Sequence, residues 1–124
     1  MKPYLIITYL ISVILLGSLS DALFDDGIKI WGHAIDAVET GLLISGAFLF
    51  SLSRRYWLSF FLSYVFIRVA GFDYMYNLFR GLPIEYVGGT GWWDIMLSSQ
   101  EPGGIAFGKA IFLITGISIP IKYL

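Results

Sequence analysis

Four stretches of this chain are apolar over most of their length, and their polar residues gather at the ends instead of alternating within them. From residue 4 to residue 20 there is no charge at all. The second stretch, 31–52, carries His33, Asp36 and Glu39 in its first half. The third, 56–72, follows Arg54 and Arg55 and contains Arg68. The fourth, 105–121, has Lys109 near its start and Pro120 near its end. Each run is close to the ~17–25 residues that a transmembrane helix needs. A barrel strand would alternate polar and apolar positions, and these runs do not. The pattern predicts an all-α, integral membrane four-helix bundle, with residues 1–124 forming a single transmembrane domain.

Residues 73–104 are too long and too patterned for a plain linker. The string from Asp73 to Arg80 reads as helix continuing beyond the third span, and Asp73, Asn77 and Arg80 recur at helical spacing on one face. Gly81-Leu82-Pro83 is a helix stop. Gly88-Gly89-Thr90-Gly91 supplies a turn, which also has the makings of an anion cradle from successive N–H groups. Trp92 to Leu97 reads as a short amphipathic helix. This segment is expected to form a structured loop and short-helix cap over the exterior mouth of the bundle.

Charge gives the bundle a direction. Arg54 and Arg55 sit in the shortest connection, and positive charge in short loops marks the cytoplasmic side. Lys2 and Lys122 fall on that same side, which holds no acid. All nine acidic residues fall toward the other side. A multi-pass protein of the cell membrane is expected, such as a bacterial inner membrane, with both termini cytoplasmic. Trp31, Tyr56, Trp57, Trp92, Trp93 and Tyr123 occupy interfacial positions. The first run resembles a signal peptide in its start, but its length and the charge segregation favour a retained span.

Composition narrows the classes further. The chain has 124 residues, 57% of them hydrophobic and 18% aromatic, with a mean hydropathy of +0.77. A soluble domain of this size buries only about 60–70% of its unfolded surface, so lipid is the natural solvent. A net charge of −1 speaks against a nucleic-acid partner. The absence of cysteine removes disulfides and thiolate chemistry, and with them the cysteine-dependent four-helix quinone oxidoreductases.

Asp36, Glu39, Arg68 and Lys109 lie inside apolar runs, where an ionised group costs roughly 2.5–3.5 kcal/mol on insertion scales. At the expected orientation all four lie in the exterior half, and they are expected to converge from three helices on one outward-facing pocket. Small residues at Ala34, Ala37, Gly41 and Ser45, matched by Gly104, Ala106, Gly108 and Ala110, suggest close contact between the second and fourth helices. His33, Asp36 and Glu39, spaced three apart, share a face and form a candidate divalent-cation site of mixed nitrogen and oxygen ligands. The single histidine and the two nearby cations weigh against it, and no cofactor is expected.

The segment Arg68, Phe72-Asp73, Tyr76-Asn77, Gly81-Leu82-Pro83, Tyr86-Val87-Gly88-Gly89-Thr90 and Trp92-Trp93-Asp94 resembles a signature of small bacterial and phage integral membrane proteins. In that group an arginine, a Phe-Asp pair, a Tyr-Asn pair, a Gly-x-Pro and a Tyr-x-Gly-x-Thr-x-Trp element recur in this order. The resemblance brings no activity. It implies that Arg68, Asp73, Asn77, Thr90 and Asp94 belong to a shared site. Small multidrug-type transporters and fluoride channels match in size alone: the first span has no glutamate, and the channel's Gly/Asn/Phe motifs are missing.

The leading expectation is a protein that binds or translocates a small ion or polar ligand in this pocket. The alternatives are an enzyme acting on a lipid or lipid-linked substrate, and a structural subunit whose charges only pair helices. Besides the lipid bilayer, a second copy of the chain is the expected partner, most simply in a two-fold homo-oligomer through Gly41/Ser45 or Gly108/Phe112.

Overall fold

The fold is seen in a computed structural model that describes residues 2–87, 95 and 99–124. The described residues form four helices: α1 (Pro3–Asp25), α2 (Lys29–Leu49), α3 (Arg54–Arg80) and α4 (Pro102–Tyr123). Pro3 and Pro102 open α1 and α4, where a missing N–H costs nothing and the fixed φ is already helical. Between α1 and α2 the chain reverses at Gly27, whose φ of 82° is a left-handed conformation that a side chain would resist. Gly81 closes α3 in the same way, with φ 63°. The tight turn before α3 is pinned by Trp57, whose Nε1 donates to the Leu52 carbonyl at 3.0 Å.

Side chain to backbone contacts fix the order. Tyr9 donates to Leu42 O at 2.6 Å and Ser20 to Gly32 O at 2.8 Å, so α2 runs back along the length of α1. Ser18 donates to Phe72 O and the end of α1 pairs with the end of α3, so these two are parallel. Ser63 donates to Gly116 O at 2.6 Å, so α4 returns beside α3. The result is an up-down-up-down bundle in which α1 is the hub, packing against α2, α3 and, over a smaller area, α4. Its buried stripe of Ile6, Leu10, Val13 and Ile14 meets Ala47, Phe60, Tyr64 and Ile67. Close packing and interhelical hydrogen bonds tie the helices together.

Three helices, α1, α3 and α4, are long and apolar enough to cross a membrane among the described residues. Their outer surfaces agree with that, exposing Leu58, Phe107, Ile114 and Ile121. α2 is not one of the three; its N-terminal half bears His33, Asp36 and Glu39. The helices also run past the expected spans. α1 continues through Asp21 to Asp25, and α3 reaches 27 residues, about 40 Å at 1.5 Å per residue.

The expected contact between the second and fourth helices does not form, because α1 and α3 stand between them. Gly41, Gly104 and Gly108 all face open space. Close approach occurs at other glycines. A Cβ on Gly46 would lie 2.7 Å from both the Phe60 and Tyr9 rings, and one on Gly116 would lie 2.7 Å from Ile67 Cγ1 and 3.0 Å from its backbone nitrogen. Gly46→Ala and Gly116→Ala are therefore expected to destabilise by about 1–3 kcal/mol through overpacking. Alanine's helix preference, worth about 1 kcal/mol at most, offsets this only in part. Gly41→Ala should be neutral or stabilising. Thermal unfolding in mild detergent measures all three, and an unchanged Gly116→Ala midpoint would contradict the packing described.

Candidate functional site

Glu39 is the inward-facing acid of α2. Its carboxylate lies against α1 at Gly17, where a Cβ would come within 2.5 Å of Oε1. A side chain at this position would displace the carboxylate from its place. From α3, Arg68 Nη1 reaches Glu39 Oε1 at 2.8 Å. One turn earlier on the same helix face, the Tyr64 hydroxyl donates to that same Oε1 at 2.8 Å and accepts from Arg68 Nη1 at 2.9 Å. The three groups close a ring of charge-assisted hydrogen bonds. Ring faces support the guanidinium, with the Phe72 centroid 4.2 Å from Arg68 Cζ, a cation–π contact strengthened where water is scarce.

This cluster lies within the field of further acids. Asp21, on the α1 turn above Gly17, senses Arg68 as an attractive charge and Glu39, Asp36 and Asp25 as repulsive ones. Nearer the helix ends, Arg80 bridges Asp25 at 3.1 Å and Asp26 at 2.9 Å. Tyr76 donates to Asp25, accepts from Arg80 at 3.0 Å and stacks on Phe72. The guanidinium of Arg68, the stacked pair Phe72 and Tyr76, and Arg80 thus form a ladder up α3, facing acids on α1 and α2.

Asp36, Glu39, Arg68 and Lys109 do not converge on one pocket; two separate ion pairs form, and Asp73 supplies the acid of the second. Glu39 takes Arg68, while Lys109 Nζ meets Asp73 Oδ2 at 2.7 Å on the other flank of α3, with the Tyr74 ring 4.3 Å from the ammonium. The separation follows from α1 and α3 lying between α2 and α4. Asp36 is exposed on α2 beside the first pair. Asn77 is buried and works as a clamp, its amide donating to Ile84 O at 3.1 Å and Tyr86 O at 2.8 Å, which ties the segment after Gly81 down on α3. Asp73, Asn77 and Arg80, expected on one face, each serve a different neighbour. Thr90 and Asp94 lie outside the described residues.

His33 is exposed, its ring set edge-on to Phe24 at 4.6 Å, while Glu39 turns inward. Among the described residues no three histidine or acidic side chains are grouped to hold a metal ion. Sequence reasoning passed over Gly17, Asp21, Tyr64 and Tyr76 as site residues. Tyr64 carried a signal, its four-residue spacing from Arg68. Gly17 carried none, because its role depends on which α2 residue lies opposite.

No family model, curated protein or solved structure matches the chain.

Chemically, the ring presents an ionised acceptor with one oxygen engaged and a guanidinium with donors beyond Nη1. Removing one member leaves a partly buried charge without its partner. Glu39→Gln and Arg68→Leu are each expected to cost about 1.5–3 kcal/mol. The double variant should cost less than the sum, with a coupling of about 0.5–3 kcal/mol. Denaturation of the four proteins of this cycle checks the pair, and strict additivity would contradict it.

Proposed function

We propose that this chain is a multi-pass membrane protein with four crossings that binds a small cation or polar ligand in an outward-facing cleft lined by α1, α2 and α3. The observation that carries the reading is the Glu39 carboxylate, buried to within 7% of full enclosure, held through one oxygen by Arg68 and Tyr64. Intramembrane ionisable groups are expensive to keep and usually mark a ligand or ion pathway. Glu39 lies about 15 Å along α2 from its start, and Arg68 about 18 Å below the end of α3, at 1.5 Å per residue. Both are therefore at membrane depth in the half of the bundle that bears the acids.

α2 crosses in this reading because it lies antiparallel to α1 over the same length, with its charged residues turned toward the cleft or its rim. Lys2, Arg54, Arg55 and Lys122 gather at the opposite end, which makes that end cytoplasmic by the positive-inside rule. Around the cleft, Asp21, Asp25, Asp26, Asp36 and Glu39 outnumber Lys29, Arg68 and Arg80, so the potential at its mouth is negative and favours a cation over an anion. The alternative of a purely structural charge pair lacks a reason for the exposed Asp36 and for the additional acid at Asp21.

Two experiments test the reading. Single cysteines introduced at positions 26 and 54 should be labelled from outside and inside respectively by a membrane-impermeant reagent; labelling of position 54 from outside overturns the orientation. Equilibrium dialysis of the detergent-purified protein against tetramethylammonium or potassium should show saturable binding. Asp36→Asn should weaken it about threefold, in line with an exposed charge worth up to ~1 kcal/mol, without lowering the unfolding midpoint. Absence of binding in the wild type, or an Asp36→Asn variant that binds unchanged, defeats the proposal.

The proposal extends to assembly. Gly41 and Gly108 face open space on the outside of the bundle, and small exposed residues permit close approach of a second copy in lipid. A two-fold dimer is proposed there, tested by native mass spectrometry in mild detergent and nanodiscs. A strict monomer in both, unchanged by Gly41→Leu and Gly108→Leu, overturns it.

A further inference from the structure

On the flank of α3 away from the acidic cleft, two cavities meet at one buried lysine. The lower is an apolar groove of about 380 Å³ between α1, α3 and α4, walled by Ile14, Leu113 and Ala110 and closed at its upper end by Tyr74 and Lys109. The upper, about 350 Å³, lies beneath the segment after Gly81 and includes Glu85 and Gln100; Tyr74, Ala106 and Lys109 line it as well. Each has the size of an ordinary ligand pocket, ~300–1,000 Å³. They share Tyr74, Ala106 and Lys109 as lining and so adjoin at the lysine, the lower one apolar and the upper one more polar.

The lysine at the junction sets the chemistry. Its side chain is only 9% exposed, and Asp73 engages it from outside both cavities. One of the three ammonium N–H groups serves Asp73, which leaves others for a ligand oxygen. Because Asp73 already neutralises it, Lys109 does not draw a purely anionic molecule from a distance. Glu85, exposed in the upper chamber, adds an unbalanced negative charge. A ligand that suits both carries an acidic oxygen for Lys109, a cationic N–H group for Glu85, and an apolar tail for the groove below.

The geometry points to a site for a phospholipid with a primary ammonium headgroup, such as phosphatidylethanolamine, its phosphate at Lys109, its ammonium at Glu85 and an acyl chain along Ile14 and Leu113. Depth agrees with this. Lys109 lies about 10 Å below the start of α4 at 1.5 Å per residue, and the groove continues toward the bundle centre, as a lipid of the outward leaflet would. The site is independent of the Glu39 cleft, which opens on the other flank of α3.

Native mass spectrometry of the detergent-purified protein, titrated with dioleoyl phosphatidylethanolamine, phosphatidylcholine and phosphatidylglycerol, tests it. The ethanolamine lipid should bind about tenfold more tightly than either of the others, the worth of one charge-assisted hydrogen bond. The choline headgroup has no N–H to donate and the glycerol headgroup has no cation. Glu85→Gln, an exposed change of little structural consequence, should bring the ethanolamine lipid down to the choline level. Ala110→Phe, which fills the groove, should weaken all three. Equal binding of the three lipids by the wild type overturns the assignment. So does a preference that survives Glu85→Gln, or binding untouched by Ala110→Phe.

Discussion

One buried carboxylate organises the upper half of this bundle. Glu39 faces the hub helix α1, with its carboxylate in the space that a side chain at Gly17 would take. Arg68 and Tyr64 then bring α3 to the same point, so a single oxygen fixes the relative heights of three helices. Moving α2 by one turn along α1 would leave Glu39 against a bulkier residue and strand the guanidinium. The cost of a buried charge without its partner makes that register specific, where apolar packing alone would tolerate sliding.

The same economy recurs elsewhere in the fold. Serines at positions 18, 20 and 63 each donate to a carbonyl of a neighbouring helix, and glycines at 46 and 116 let backbones draw near. Interhelical hydrogen bonds of this kind are worth roughly 0.6–2 kcal/mol apiece in a membrane. They form because α1 and α3 carry serines on the faces they turn to their neighbours. The outer faces are left to large aliphatic and aromatic side chains, which suit lipid and specify nothing.

α3 divides the chemistry. One flank looks across to acids of α1 and α2, the other to Lys109 of α4. Lys109 at the junction of two cavities and Arg68 beside the acids of α1 and α2 are thus separate centres that share a helix, and each is neutralised by a partner on a different neighbour. Asp73, five residues beyond Arg68, belongs to the second centre because five residues turn a helix by about 140°.

Much of the fold is local and therefore legible in the chain itself. The apolar runs, the stop at Gly81 and the continuation of α3 past its apolar run follow from helix propensity, glycine's conformational freedom and the cost of burying charge. Arg68, Glu39 and Lys109 stood out for that same cost, without reference to any partner. Which carboxylate each cation takes was decided only in three dimensions. Lys109 had Asp36, Glu39 and Asp73 at comparable depth, and depth is all that position along a helix conveys. The choice rests on the angular placement of α4 around α1 and α3, set by Ser63 meeting Gly116 and by the contact of Gly116 with Ile67. Gly17 shows the same limit from the other side: a glycine near the end of an apolar run becomes part of a charged site only when another helix sets Glu39 opposite it.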